Sequence, residues 1–568
     1  MKKLLALLLA GLMAVAAAGC SSAPASSGDD SATDSGSSTT SEATGTSNFA
    51  GTPDEGMVTV DLRAEPPDLN PITTSDVASA DILRMTTAGL MKLDENDQPV
   101  KDLAEDYTVS EDGKTYTFKI RKDAKWNNGD PVTADDFVYS WLLAMDQKTA
   151  ATYGFILYNN IVNGDKYFAG ECEAEDVGVK ALDDYTLEVT FNNPLTYALN
   201  LFAFQTYLPV NQKIYEAAGT NSEGGSLYNT DPDLMGYNGP YYVESWTHNT
   251  EIVLAKNPDY YNADEIKIDK VKYTMMTDTN ARMNAFQGGQ VDCINLTAEQ
   301  MDQMKQMNEP IHTYVDNGNW YFQFNLQTPA LQSAKVRKAL GDAIDPQSYI
   351  DNVLRDGSEL ANGLVPPSIN GANNGKYVDG REDLMDHDTA GAKALFDEGL
   401  AELNLTADDV KLTYVCDDTS NAQTHAAYFQ QQWADVLGIE VEISPMAFQA
   451  RLDAMRNGNF DIVFAGWSPD YNDAMTYLDM FMKDNGNNYG KYDNPEYDEL
   501  LTQAMAEQDA AKRQEMLQQA ETILVQQDYA VYPLYFSVIN YVSSNKISGM
   551  TRTGFQEFDF CDGAEIVS

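Results

Sequence analysis

Across residues 422–465 the sequence switches repeatedly between helical and strand periodicity, and this limits the fold more than any other feature. Residues 422–437 read as a helix ended by Gly438. Ile439, Val441 and Ile443 then alternate as a strand does, and a second helix covers about 447–456. Residues 460–465 form a short β-branched and aromatic run suited to a buried strand. Strands alternating with helices at this spacing call for α/β layers joined by crossover connections. Further upstream, residues 115–120 and 186–191 alternate as half-buried strands. Between them Thr133 precedes ADDFVYSWLLAMD, which puts Phe137, Val138, Trp141, Leu142 and Met145 on one helical face. Thr133 and Asp136 have capping-box spacing, so the helix is expected to start there.

The strand at 460–465 runs into Gly466-Trp467-Ser468-Pro469, a turn signal, and then Asp470-Tyr471-Asn472-Asp473. A carboxylate pushed off the end of a buried strand beside a Trp and a Tyr suits capture of a cation. The competing reading is a surface turn whose Asp caps the following helix. Charge balance is compatible with a cationic ligand: 37 Lys+Arg against 87 Asp+Glu gives a formal −50. That balance disfavours nucleic acid, which needs clustered Lys and Arg, although a solubilising surface explains it equally well.

The amino terminus carries an address. Lys2-Lys3 precedes an apolar run over 4–18, too short to span a bilayer comfortably, and Ala17-Ala18-Gly19-Cys20 closes it. Small residues directly before a Cys resemble a bacterial lipobox, in which Cys20 takes the lipid; Ala17 stands where Leu is usual. Residues 21–56 are rich in Ser, Gly, Thr, Asp and Ala, and are expected to form a flexible tether. Lipid, tether and globular body describe a protein held on the outer face of a cell membrane, on the periplasmic side if an outer membrane exists. Cys172, Cys293, Cys416 and Cys561 are widely spaced without CxxC, so neither a disulfide scaffold nor a zinc pattern is readable.

No catalytic constellation emerges. The four histidines form no HExxH, and GxSxG, Walker A and GxGxxG patterns are missing. Gly466-Trp467-Ser468-Pro469-Asp470 fails as a nucleophile elbow because Asp470 replaces the second Gly. Asp94 to Glu105 has part of a calcium-loop pattern, but Pro99 stands at the sharp-turn glycine, and a hairpin is the better reading. No enzyme activity, cofactor or metal is expected.

Several blocks in order, EPPDLNP at 65–71, EDGKTYTFKIRKDAKWNNGDPVTADDFVYSW at 111–141, NGPY at 238–241, QFNLQTPALQSAKVRKALGDAID at 323–345 and FDIVFAGWSPDYND at 460–473, resemble the bacterial extracellular solute-binding proteins of family 5, oligopeptide type. The resemblance implies a type II periplasmic-binding-protein-like α/β fold of two lobes with an extra domain. Lobe I would combine 57–88, 213–323 and 537–568; the extra domain would cover 89–212, and the other lobe 324–536. It implies a monomeric receptor that binds an oligopeptide between its lobes and hands it to the permease and ATPase subunits of an ABC importer. Asp470 would pair with the peptide's α-ammonium. Gly466, Trp467 and Ser468 would meet its backbone, and Tyr153, Val77, Ser75 and Asn238 would complete the cleft. Phe464 stands where some relatives have an Arg near the ligand carboxylate, which leaves the carboxylate anchor open, and Ala474 replaces a usual Pro. His425 lies near a cleft His of relatives and reads equally as a helix-face residue. The alternatives are a receptor for a nickel chelate or sugar, a peptide-signal sensor without import, and a secreted hydrolase.

Overall fold

The computed structural model describes residues 46–567, apart from 55, 63, 64, 75, 223 and 484. The signal segment with Cys20, most of the tether, and Ser75 therefore lie outside the described residues. The last stretch of the expected tether is tied down. Phe49, its one large apolar residue, rests on Phe286 with ring centroids 4.8 Å apart, and the Thr52 hydroxyl donates to Asp292 at 2.8 Å.

An eleven-stranded sheet organises the described chain. Its order is Val441–Met446, Leu412–Asp417, Ile462–Trp467, His312–Phe324, Val531–Ser543, Cys293–Asn295, Met57–Asp61, Lys270–Thr274, Glu251–Lys256 and Tyr241–Thr247; Glu359–Leu360 pairs off this path. Leu412–Asp417 lies parallel to both Val441–Met446 and Ile462–Trp467, as helix-bearing crossovers require. The helix Ser420–Gln432 continues through a wider turn, Trp433–Leu437, and ends on Gly438 at φ +72°, a conformation glycine adopts without a Cβ penalty.

Two thirteen-residue strands, His312–Phe324 and Val531–Ser543, form the middle of the sheet and reach into both halves. Between Val315 and Asn319 their register shifts: Asp316, Asn317 and Gly318 face Ser537 alone, and Asn317 sits at φ +61°. The bulge bends the ribbon where it passes from one half to the other. On one side an aromatic core collects Phe322, Phe429, Trp433, Tyr349 and Phe464.

A separate antiparallel sheet, Ala104–Val109, Thr115–Ile120, Thr186–Thr190 and Val179–Asp183, packs against the helix Ala134–Met145. Phe137, Trp141 and Met145 are buried there as the helical pattern predicts, while Val138 and Leu142 are half-buried. Asp136 accepts the Thr133 backbone N–H at 2.8 Å, fixing the helix start at the expected residue. The acidic run at 94–98 is a hairpin turn joining Met91–Leu93 to Pro99–Lys101. Cys172, Cys293, Cys416 and Cys561 are free thiols.

Candidate functional site

The strand expected to stop at Ala465 continues through Trp467. Antiparallel pairing with Asn319–Phe324 carries it, with Gly466 opposite Trp320 and Trp467 opposite Asn319. Glycine is needed at 466, since a Cβ there would come within 2.9 Å of the Trp320 ring. On its other side the strand pairs with Leu412–Asp417 only at Ile462 and Val463. Gly466 thus lies beyond the last paired residue on that side, on a strand edge of the kind an extended chain can join.

Past this edge the chain turns, and Ser468 and Asp470 enter a cavity of about 400 Å³ together with Val77 and Tyr153. Val77 is 62% exposed at the first turn of its helix. The Tyr153 hydroxyl donates to Asp470 Oδ1 at 3.0 Å, joining residues 317 positions apart. Burial pushes the Asp470 carboxyl up to about 6, and the Tyr153 hydrogen bond offsets only part of this. Among the described residues no cation offsets the burial. Burial, with Asp470 and Asp473 nearby, pushes the adjacent Asp479 up to about 7.

Asp470 does not cap the following helix, whose cap position is Ala474. Asp473 Oδ1 accepts the Met475 N–H at 2.9 Å, at the start of the helix Met475–Leu478. Asp473 is also held by both terminal nitrogens of Arg513, at 2.7 and 2.8 Å. Tyr471 stacks on Tyr197 at 4.8 Å, and Asn472 is buried, accepting the Asn370 N–H at 2.8 Å. The residues after Asp470 are thereby fixed, which leaves the Asp470 carboxylate presented to the cavity.

The remaining expected residues divide. Trp467 is half-buried behind the turn: its ring N–H donates to Thr476 Oγ1 at 3.3 Å, the same oxygen that accepts the Asp470 N–H at 3.4 Å. Asn238 is buried, with its side chain engaged on Ala88, accepting from N at 2.8 Å and donating to O at 3.4 Å. That clamp ties two strand connections together outside the lining of the cavity. Phe464 is packed among Trp320, Phe322 and Phe429. His425 is half-buried with its ring edge-on to Tyr349. Arg513, forty positions from Asp473 on an unremarkable helical segment, offers no local sequence signal of its role.

The profile of the bacterial extracellular solute-binding proteins, family 5 Middle, matches residues 98–489. This chain belongs to that family. It is 33% identical over 531 residues to the oligopeptide-binding protein OppA of Bacillus subtilis, covering 91% of this chain and 94% of that protein. It is also 30% identical over 476 residues to the probable deoxycholate-binding periplasmic protein YgiS of Escherichia coli, covering 84% and 86%. Among solved structures, Listeria monocytogenes OppA bound to peptide superposes with a TM-score of 0.73 at 32% identity, covering 90% of this chain and 99% of that one. Relatives of comparable identity thus carry names with different ligands, so the site itself must discriminate between them. Among the described residues no helix is long and apolar enough to cross a membrane.

Proposed function

We propose that this chain is an extracellular receptor that binds oligopeptides and delivers them to an ABC importer. One observation carries the reading: the Asp470 carboxylate is buried, hydrogen-bonded by Tyr153 and matched by no cation among the described residues. A peptide's α-ammonium supplies the missing charge. The strand edge at Gly466 offers backbone groups to an extended chain, which a sterol or a metal chelate could not match in register. The binding of peptide involves no bond-making step, and the receptor is read as non-enzymatic and monomeric.

The bulged central ribbon suits a hinge between a lobe of 57–88, 213–323 and 537–568 and a lobe of 324–536, with 89–212 as the extra domain. In this reading Val77 and Ser468 meet the peptide beside Asp470 and Tyr153, and Asn238 acts by holding Ala88. Unfolding the purified protein should release peptides, identified by mass spectrometry. Refolded protein should then contract in solution scattering when peptide is added. A stoichiometric non-peptide solute would overturn the ligand class. An unchanged radius of gyration with calorimetrically demonstrated binding would reject the hinge.

We place the receptor on the membrane through a lipid at Cys20. Two acyl chains contribute roughly 0.8 kcal/mol per buried methylene, ample for stable attachment. Cys20→Ala should move the mature protein to the soluble fraction; retention on membranes washed with high salt would contradict the anchor.

A further inference from the structure

Asp470, Tyr471 and Asn472 each touch the segment 89–212. Tyr153 donates to Asp470, Tyr197 stacks on Tyr471 with the rings 6° from parallel, and Asn200 Nδ2 donates to the Asn472 carbonyl at 3.4 Å. Asn472 reaches further. Its Nδ2 donates at 3.2 Å to the carbonyl of Asp97, in the hairpin turn at 94–98, and Asn370 Nδ2 donates to that same carbonyl at 3.2 Å. The Asp97 carboxylate serves a different segment, accepting the Thr553 hydroxyl at 2.6 Å and the Gln556 amide at 3.3 Å. The hairpin tip thus bonds residues of 324–536 through its backbone and residues of 537–568 through its side chain.

We propose that Asp470-Tyr471-Asn472 and the hairpin tip at Asp97 form a closure latch, fastening the 324–536 lobe to the extra domain as Asp470 takes the ligand's ammonium. The inference rests on the peptide-receptor reading and its hinge, and names the contacts that hold the closed form. One short stretch of chain carries both the ligand anchor and the closing contacts. Drawing Asp470 onto an ammonium therefore brings Tyr471 and Asn472 onto their partners. Each side of the latch is braced within its own lobe. Gln556 also donates to the Asp94 carbonyl at 2.8 Å, which fixes the hairpin on the 537–568 segment. On the facing side the Asn370 N–H donates to Asn472 Oδ1 at 2.8 Å, and Lys376 Nζ donates to Asn370 Oδ1 at 3.2 Å, so the two amide donors are held side by side. The bonds that cross between the sides are those to the Asp97 carbonyl, and a swing about the bulged ribbon breaks both together. Asp97, Asn370 and Tyr197 lie outside the lining of the cavity. They act on binding through the population of the closed form, which multiplies the affinity of every ligand by one common factor. Asp470, by contrast, selects for a free amine.

Stopped-flow dissociation on the full chain tests the latch, with tri- to pentapeptides of alanine, of serine and of lysine as probes. Asn370→Ala deletes one donor to the Asp97 carbonyl and should speed dissociation roughly two- to tenfold, the worth of one net hydrogen bond. The factor should be the same for every peptide that binds. Asp97→Gly is measured alongside. Asp97 sits at φ +57°, which glycine adopts freely, so this variant keeps the carbonyl in place while releasing the tip from Thr553 and Gln556. It should show the same uniform acceleration, and neither variant should lower the melting temperature of the ligand-free protein appreciably. Unchanged dissociation in both variants would overturn the latch. So would factors that differ from peptide to peptide, which would make the hairpin a ligand contact, or an equal loss of ligand-free stability, which would make the junction a plain brace. Each of those results, with wild type binding and contracting around peptide, leaves the receptor reading standing. Wild type that binds none of the probes, or binds without contracting, would sink the receptor or its hinge, and the latch with it.

Discussion

Arg513→Met is expected to destabilise the protein by about 3–5 kcal/mol, the cost of stranding one member of a buried ion pair. Asp473 and Arg513 have side chains 12% and 8% exposed and meet through two parallel hydrogen bonds. Removing the guanidinium leaves a carboxylate without its counter-charge beside Asp479, whose pKa is already pushed up to about 7 by burial and neighbouring carboxylates. Asp473→Asn should cost less, because the amide retains one acceptor for Arg513 and removes a negative charge from the cluster. Replacing both partners with apolar residues of similar volume should recover much of the loss, since no lone charge then remains buried. The same substitution should weaken peptide binding, as Asp473 sets the turn that presents Asp470. Calorimetric unfolding of the ligand-free variants reads the first effect. A single-variant loss below about 1 kcal/mol, the range of an exposed pair, would show that the pair is solvated and does not brace the site.

Much of the fold is written in local periodicity. The helix at Ala134–Met145, the strand at Thr115–Ile120 and the αβ alternation leading to Ile462–Trp467 all follow from patterns within a dozen residues. The continuation of that last strand through Gly466 and Trp467 does not, because pairing with Asn319–Phe324 decides it, and turn chemistry alone predicts an earlier stop. Asp470 and Tyr153 were each indicated by resemblance to the family, yet their hydrogen bond joins distant segments and no spacing encodes it. Trp467 and Asn238 show the converse. A side chain can belong to a site's segment while bonding Thr476 or Ala88 behind it. Arg513 carried no signal at all, since a basic residue on a polar helical stretch reads as solvated until tertiary packing encloses it.

The Asp470 anchor has a definite pH signature. Burial holds its carboxyl near 6, above its ordinary 3.8, so the folded state holds this proton more tightly than the unfolded chain. Ligand-free stability should therefore rise as pH falls from about 6 towards 4, and Asp470→Asn should stabilise the empty protein at pH 7.5. Peptide binding runs the other way. It needs the ionised carboxylate and a protonated α-amine whose free pKa is about 8, so affinity should be greatest between about pH 6 and 8 and fall on either side. In Asp470→Asn the acid limb should disappear.

Calorimetry on wild type and Asp470→Ala, each with a peptide and its N-acetylated form, tests the central claim most directly. Stranding one partner of an enclosed pair costs about 3–5 kcal/mol, or roughly two to four decades of affinity at about 1.4 kcal/mol per decade. Hydration of the cavity favours the lower end of that range. Acetylation should weaken wild type by a similar factor and add little in Asp470→Ala, because both changes delete the same contact. Independent, additive losses would show that Asp470 does not hold the peptide's amino terminus.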